Sequence, residues 1–108
     1  MSFQLTSKNI HLVDSHILTA SCQTREGGWQ DASIDLNGYI GNEDGYFSLN
    51  DKNFAQSAED VKVESSADKI SLVASLRRRN DQWNSSQTFD LTDLIENDDG
   101  TLRFVRDL

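Results

Sequence analysis

At 108 residues and 36% hydrophobic content the chain is large enough for one modest core and too small for two independent ones. A formal charge of -8 argues against nucleic acid and anionic membrane as partners, because both are bound through clustered positive charge. A single cysteine, Cys22, rules out an intrachain disulfide and any multi-cysteine metal site.

The chain opens with MSFQLTSKN, which has no charged segment running into an apolar one, so no signal peptide is read. No stretch approaches the roughly 18 to 20 apolar residues of a membrane helix. A cytoplasmic location is the expectation, with secretion by an unconventional route as the alternative. Past Phe3 and Leu5, Ile10 and Leu12 alternate with His11 in the pattern of a short half-buried strand. His11 and His16 read as solvent-facing strand and turn residues, without the cysteine or carboxylate spacing of a metal site. Leu18, Ala20 and Cys22 share one parity against Thr19, Ser21 and Gln23, so a second strand turns Cys22 inward as a small hydrophobe. Gly27-Gly28 marks a hairpin ahead of Trp29. Trp29 and its later counterpart Trp83 are read as core or near-core residues, in preference to sugar-stacking platforms.

Residues 35–45, DLNGYIGNEDG, are the organising stretch. Leu36, Tyr39 and Ile40 fall at i, i+3 and i+4, which one helical turn places on one face. Asp35 or Asn37 can cap that turn. Asp44-Gly45 is a two-residue hairpin signal of the type that needs φ > 0 at both central positions. Asn42 can fold its side chain back onto the turn. Tyr46 and Phe47 then start a strand, and residues 50–53 are a hinge.

The pattern returns. DLTDLIENDDG occupies residues 90–100, shifted by 55 positions, with six of eleven residues identical. Val61 and Val63 answer Ile10 and Leu12, and residues 64–69 form a polar turn. Ile70, Leu72, Ala74 and Leu76 answer the Leu18 strand, and Leu102 to Phe104 close the second half with a strand. No segment reads as a helix longer than two turns. The predicted class is all-β with short single-turn helices, built as two tandem sequence repeats of about 1–51 and 52–108 within one domain, 1–108.

The SIDLN pattern followed by Ile40, Asn42 and Asp44-Gly45, the double-glycine hairpin before an aromatic, and the two-fold repeat resemble the cyanovirin-N homology family over essentially the whole chain. The resemblance implies an elongated pseudo-symmetric fold of two triple-stranded sheets and two hairpins, each half drawing strands from both repeats. It implies a non-catalytic carbohydrate-binding lectin for terminal α1→2-linked mannose on high-mannose glycans, with no metal and no cofactor. The founding member has disulfides at positions that here are Ser7 with Cys22 and Ala58 with Leu76. Three of those cysteines are absent, so packing alone must hold each half, which fits a reducing compartment. The family's hinge proline is replaced by Asp51. A monomer is expected, with a domain-swapped dimer as the alternative.

The resemblance carries over two sites, at opposite ends. In the middle of the sequence the matching positions are Asn42, Asp44, Asn53, Gln56, Ser57, Arg77, Arg79 and Asp81. Gln56, Ser57 and Arg77 replace a Glu, a Thr and a Lys, while Gly41 and Lys52 depart further. On a strand, Arg77 and Arg79 would share a face while Arg78 points away. Charge protecting a solvated edge strand is the competing explanation of that run. At the termini the matching positions are Ser2, Thr6, Gln23, Arg25, Asn97 and Asp99, with Leu5 in place of a glutamine and Arg25 in place of a threonine. Amides both donate and accept, carboxylates accept and guanidinium groups donate, which is the mixture that sugar hydroxyls require. The middle site is the better match.

Two other functions compete. A structural or protein-interaction module with weak or lost sugar binding would account for Leu5, Arg25 and Gly41. A two-carboxylate glycosidase is disfavoured, because the repeated acids sit in turns and no Ser/His/Asp or Cys/His arrangement stands out. A calcium loop fails: with Gly45 or Gly100 as its sixth residue, its first ligand would be Ile40 or Ile95.

Overall fold

Strand parity and turn chemistry account for most of the architecture. A computed structural model of the chain describes residues 3–66 and 69–105. Strands β1 (Ser7–Val13), β2 (Ile17–Gln23) and β3 (Trp29–Asp35) form an antiparallel sheet in that order. Strands β4 (Gly41–Glu43) and β5 (Tyr46–Ser48) make a hairpin. The plan then repeats: β6 (Ala58–Ser65), β7 (Ile70–Arg77) and β8 (Trp83–Asp90) form a second three-stranded sheet, and β9 (Ile95–Asp98) with β10 (Thr101–Phe104) a second hairpin. The helical content of the described residues is three single 3-10 turns, Phe3–Thr6, Leu36–Gly38 and Phe54–Ser57. The class is all-β, as the sequence predicts.

The hairpins cross between the repeats. The β9–β10 hairpin packs on β3 and on the Phe3–Thr6 turn, whereas the β4–β5 hairpin packs on β8 and on the Phe54–Ser57 turn. Each half therefore combines a sheet from one repeat with a hairpin from the other, and the molecule is elongated at 51 × 27 × 23 Å. The crossing is tight at Gly41, which bridges to Asn53. A Cβ at Gly41 would lie 2.1 Å from the Cβ of Asp51 and 2.6 Å from the Lys52 nitrogen. Gly41 departs from the family pattern, and here glycine is the residue that lets the two chain segments touch.

The core follows the alternation. Leu18, Ala20 and Cys22 from β2 and Ile70, Leu72, Ala74 and Leu76 from β7 are buried. They are joined by Leu36 and Ile40 and by their counterparts Leu91 and Ile95. Phe3 and Phe54, one at the head of each repeat, are also buried. Burying a side chain of this size stabilises by roughly 1.5–3 kcal/mol, and this apolar packing replaces the missing crosslinks. Ser7 and Cys22 are direct cross-strand partners, as are Ala58 and Leu76. Ser7 Oγ donates to the buried Cys22 Sγ at 3.4 Å.

Three expectations need correction. Trp29 and Trp83 are 48% and 43% exposed rather than core residues. Each is the first residue of its strand. Trp29 is on the parity opposite to the buried Ile34, while a register shift along β8 separates Trp83 from the partly buried Gln87 and Phe89. Lys8 Nζ lies 4.2 Å from the Trp29 ring centre. Tyr39 leaves the face shared by Leu36 and Ile40, because the 3-10 turn ends at Gly38. It stacks outside on Phe104, with ring centres 4.5 Å apart. Finally, β7 is the central strand of its sheet, so the arginine run protects no edge.

Candidate functional site

Each hairpin ends in the tight turn its sequence demands. Asp44 and Gly45 have φ of 49° and 91°, and Asp99 and Gly100 have 52° and 92°. Both central residues are left-handed, the geometry that Asp-Gly tolerates best. The asparagine ahead of the turn closes it: Gly45 N–H donates to Asn42 Oδ1, and Gly100 N–H to Asn97 Oδ1, each at 2.8 Å. The other end of the same amide reaches across to a 3-10 turn and to the end of a central strand. Asn42 Nδ2 donates to Ser57 Oγ and to the Arg77 carbonyl, both at 2.8 Å. Asn97 Nδ2 donates to Thr6 Oγ1 at 3.0 Å and to the Gln23 carbonyl at 2.9 Å.

The aspartates complete the link. Asp44 Oδ1 accepts from the Arg79 amide at 3.0 Å, and Asp99 Oδ1 from the Arg25 amide at 2.9 Å. A second layer lies behind. Asn84 Nδ2 donates to the Gly45 carbonyl at 2.8 Å, and Gln30 Nε2 to the Gly100 carbonyl at 3.1 Å. The same residues thus form the turns and line the clefts, and the bridging amides are held rather than free to wander.

Two open clefts result, one per half. The middle-sequence cleft, about 320 Å³, is lined by Asn42, Asp44, Ser57, Arg77, Arg78, Arg79 and Asp81. The cleft near the termini, about 240 Å³, is lined by Phe3, Thr6, Gln23, Thr24, Arg25, Asn97 and Asp99. The predicted positions converge with few departures. Asn53 and Gln56 lie outside the middle cleft. Asn53 is the exposed residue before the Phe54–Ser57 turn, with φ of 64°, and its amide donates to the Asn37 carbonyl. Gln56 is an exposed residue of that turn. Ser2 falls outside the described residues. Leu5 is 62% exposed and lines neither cleft.

Arg78 does not point away from the site. Strand β7 ends at Arg77, so residues 78–82 form a turn in which strand parity no longer applies. Arg78 N–H donates to the Gln82 carbonyl at 2.7 Å, as Thr24 N–H does to the Gly28 carbonyl at 2.8 Å. Thr24 is the corresponding addition at the other cleft. The 54-residue offset that pairs Trp29 with Trp83 also pairs Thr24 with Arg78 and Gln30 with Asn84, so the repeat held the signal for all four.

The clefts differ in electrostatics. Arg25 is drawn over its cleft by Asp98 at 3.3 Å and Asp99 at 3.8 Å. At the middle cleft Arg79 pairs with Glu43 at 2.5 Å. Glu43 in turn meets Asp51, whose carboxyl is raised above its ordinary value of 3.8, first by the hydrogen bond with Glu43 and then by burial and by repulsion from Glu43. The attraction of Arg79 works the other way.

Known proteins share this fold. Residues 3–103 match the family model of the CVNH domain. A cyanovirin-N homolog of Neurospora crassa is 36% identical over 106 residues, spanning 93% of this chain and 95% of that protein. The solved CVNH structure of Gibberella zeae superposes with a TM-score of 0.84 at 37% identity, covering 96% of this chain and 97% of the other. Microvirin, solved as a complex with mannobiose, superposes with a TM-score of 0.83 at 31% identity, covering 96% and 98% of the two chains. With its two crossed hairpins, its paired clefts and a domain match over nearly its whole length, this chain belongs to the cyanovirin-N homology family.

Proposed function

We propose that this protein is a non-catalytic lectin for mannose-type oligosaccharides ending in α1→2-linked mannose, bound chiefly in the middle cleft. The observation that carries this is one turn held rigidly in place, with Asn42 bonded to Ser57 of the Phe54–Ser57 turn and to the Arg77 carbonyl at the end of β7, and Asp44 bonded to the Arg79 amide just beyond it. Amide, carboxylate, hydroxyl and guanidinium groups then converge on one cleft, as sugar hydroxyls require. The 31% identity to microvirin, a protein solved with mannobiose, supports the sugar class.

The cleft near the termini is the secondary site. Its turn and amide bridge are the same, but Arg25 is engaged by Asp98 and Asp99 and would have to leave them to reach a sugar. Open polar clefts of this kind bind weakly, about micromolar to millimolar per site, or roughly -8 to -4 kcal/mol. Two sites on one body raise apparent affinity for branched glycans when both engage.

A two-dimensional NMR titration of labelled protein with Manα1→2Man tests this directly. Shifts clustered at Asn42, Ser57 and Arg79 are expected first, with Thr6 and Asn97 following at higher sugar. Silence at both clefts in millimolar disaccharide would sink the mannose assignment and leave a structural or protein-interaction module as the better account.

A further inference from the structure

The chain has only ten basic residues against eighteen acidic ones, yet three consecutive arginines meet at one cleft. We infer that the middle cleft takes a mannose-type saccharide carrying a phosphate or sulfate monoester, with Arg77 and Arg78 reading the ester. This rests on the lectin assignment above and names the ligand class of the same site.

Position in the fold removes the simplest structural explanation. The arginines stand at the end of β7, the central strand of its sheet, so they shield no open edge. Ion pairing does not absorb them either. Arg79 is committed to Glu43, but neither the Arg77 nor the Arg78 side chain has a carboxylate partner among the described residues. Arg78 is also partly held in place. Its stem lies against Gly45, where a Cβ would come within 2.8 Å of its Cγ, and its guanidinium carbon is 6.0 Å from the Tyr46 ring centre.

The cleft's own acids compete only in part. Asp44 and Asp81 both line it, but Asp44 turns an oxygen to the Arg79 amide. With Glu43 taking Arg79, Arg77 and Arg78 are left beside Asp44 and Asp81, so the three arginines are matched by three acids. At the other cleft the single guanidinium, of Arg25, lies beside two carboxylates, Asp98 and Asp99, and Gln23 and Thr24 occupy the positions of Arg77 and Arg78. The middle cleft is thus the less negative of two otherwise matched sites, and the one with two arginines that no carboxylate holds, on a chain of net charge -8. A guanidinium fork donates two parallel hydrogen bonds to an oxyanion, a geometry that a neutral hydroxyl cannot use. An ester on a sugar hydroxyl would add that contact while the amide and carboxylate groups engage the ring.

The test is NMR titration of the full chain with mannose, mannose 6-phosphate, mannose 6-sulfate and inorganic phosphate at low salt and pH 7.4. Either or both esters are expected to bind the middle cleft at least about tenfold more tightly than mannose, with the gain shrinking as added salt screens the charges. A phosphate ester loses charge as pH falls through about 6 and a sulfate ester does not, so a preference that fades at pH 5 identifies phosphate. In Arg77→Gln/Arg78→Thr, which installs the residues of the other cleft, the ratio of ester to mannose affinity should fall towards one. Esters that bind no better than mannose, while Manα1→2Man still shifts Asn42, would overturn this inference and leave the lectin assignment standing. Inorganic phosphate binding as tightly as the sugar phosphate, or an undiminished ratio in the double variant, would overturn it too. Silence with every sugar would remove both.

Discussion

Asn97 and Thr6 stand 91 positions apart, and Asn97 Nδ2 donates to Thr6 Oγ1 at 3.0 Å. The equivalent bond from Asn42 to Ser57 spans 15 positions at 2.8 Å. One interaction, built twice, ties a hairpin of one repeat to the first turn of the other. Through it the clefts and the fold depend on the same two amides.

Replacing either asparagine should therefore affect stability and binding together. Asn42→Ala leaves the Gly45 N–H and the Arg77 carbonyl without their partner. A cost of about 1–3 kcal/mol is expected, read as a lower urea midpoint. Sugar-induced shifts at the middle cleft should vanish while those at Thr6 persist. Asn97→Ala should show the reverse distribution.

Two glycines three positions apart should respond differently. A Cβ at Gly41 meets backbone atoms of Asp51 and Lys52 at 2.5 and 2.6 Å, which a side-chain rotation cannot relieve. Gly41→Ala should cost about 1–3 kcal/mol. At Gly38 nothing lies within 4 Å, and Gly38→Ala should be neutral or stabilising by up to about 1 kcal/mol. Equal midpoints for the two variants in chemical denaturation would refute the close crossing at Gly41.

Ser7 sits opposite Cys22 and already donates to its sulfur. Ser7→Cys should oxidise readily to a crosslink closing 15 residues of chain. The oxidised form should gain about 2–4 kcal/mol over the same variant kept reduced. Thermal unfolding with and without reductant gives the comparison. A variant whose thiols stay free under mild oxidation would show that the two side chains do not face each other in solution.

Two aspartates should tilt the acid limb of stability in opposite directions. Asp51 binds its proton more tightly folded than unfolded, chiefly through the hydrogen bond with Glu43, so its contribution declines as pH rises from its ordinary value of 3.8. Asp51→Asn should stabilise the protein at pH 7 and change little at pH 3. Asp90 is lowered below 3.8 by the Thr92 hydroxyl and then by the Thr92 amide, which donates at 2.9 Å. Its contribution is complete above 3.8 and disappears as pH falls through the lower folded value. Asp90→Asn should therefore weaken the protein at pH 7 and leave it unaltered at pH 2. Urea midpoints across that range decide both.

The residue order alone determined the parts. Alternation of Leu18, Ala20 and Cys22, and of Ile70 to Leu76, dictated strands and their buried faces, because a side chain's side of a strand depends only on its parity. Asp44-Gly45 and Asp99-Gly100 dictated the turns, since few residue pairs accept two positive φ angles in succession. The repeat also set Asn42 and Asn97 in equivalent places, and so marked two clefts.

Tertiary structure decided what the parts face. Only the crossing of the hairpins puts Asn42 against Arg77 and Asn97 against Gln23, and it rests on the space that Gly41 leaves for Asp51 and Lys52. The exposure of Trp29 and Trp83 was set by which sheet face found a covering hairpin, a matter of contacts distant in sequence. Arg78 entered the cleft because β7 stops one residue earlier, where strand parity ends. Local chemistry specifies turns and strands one at a time; the charge of a cleft depends on which of them pack together, and that is settled by burial across the whole chain.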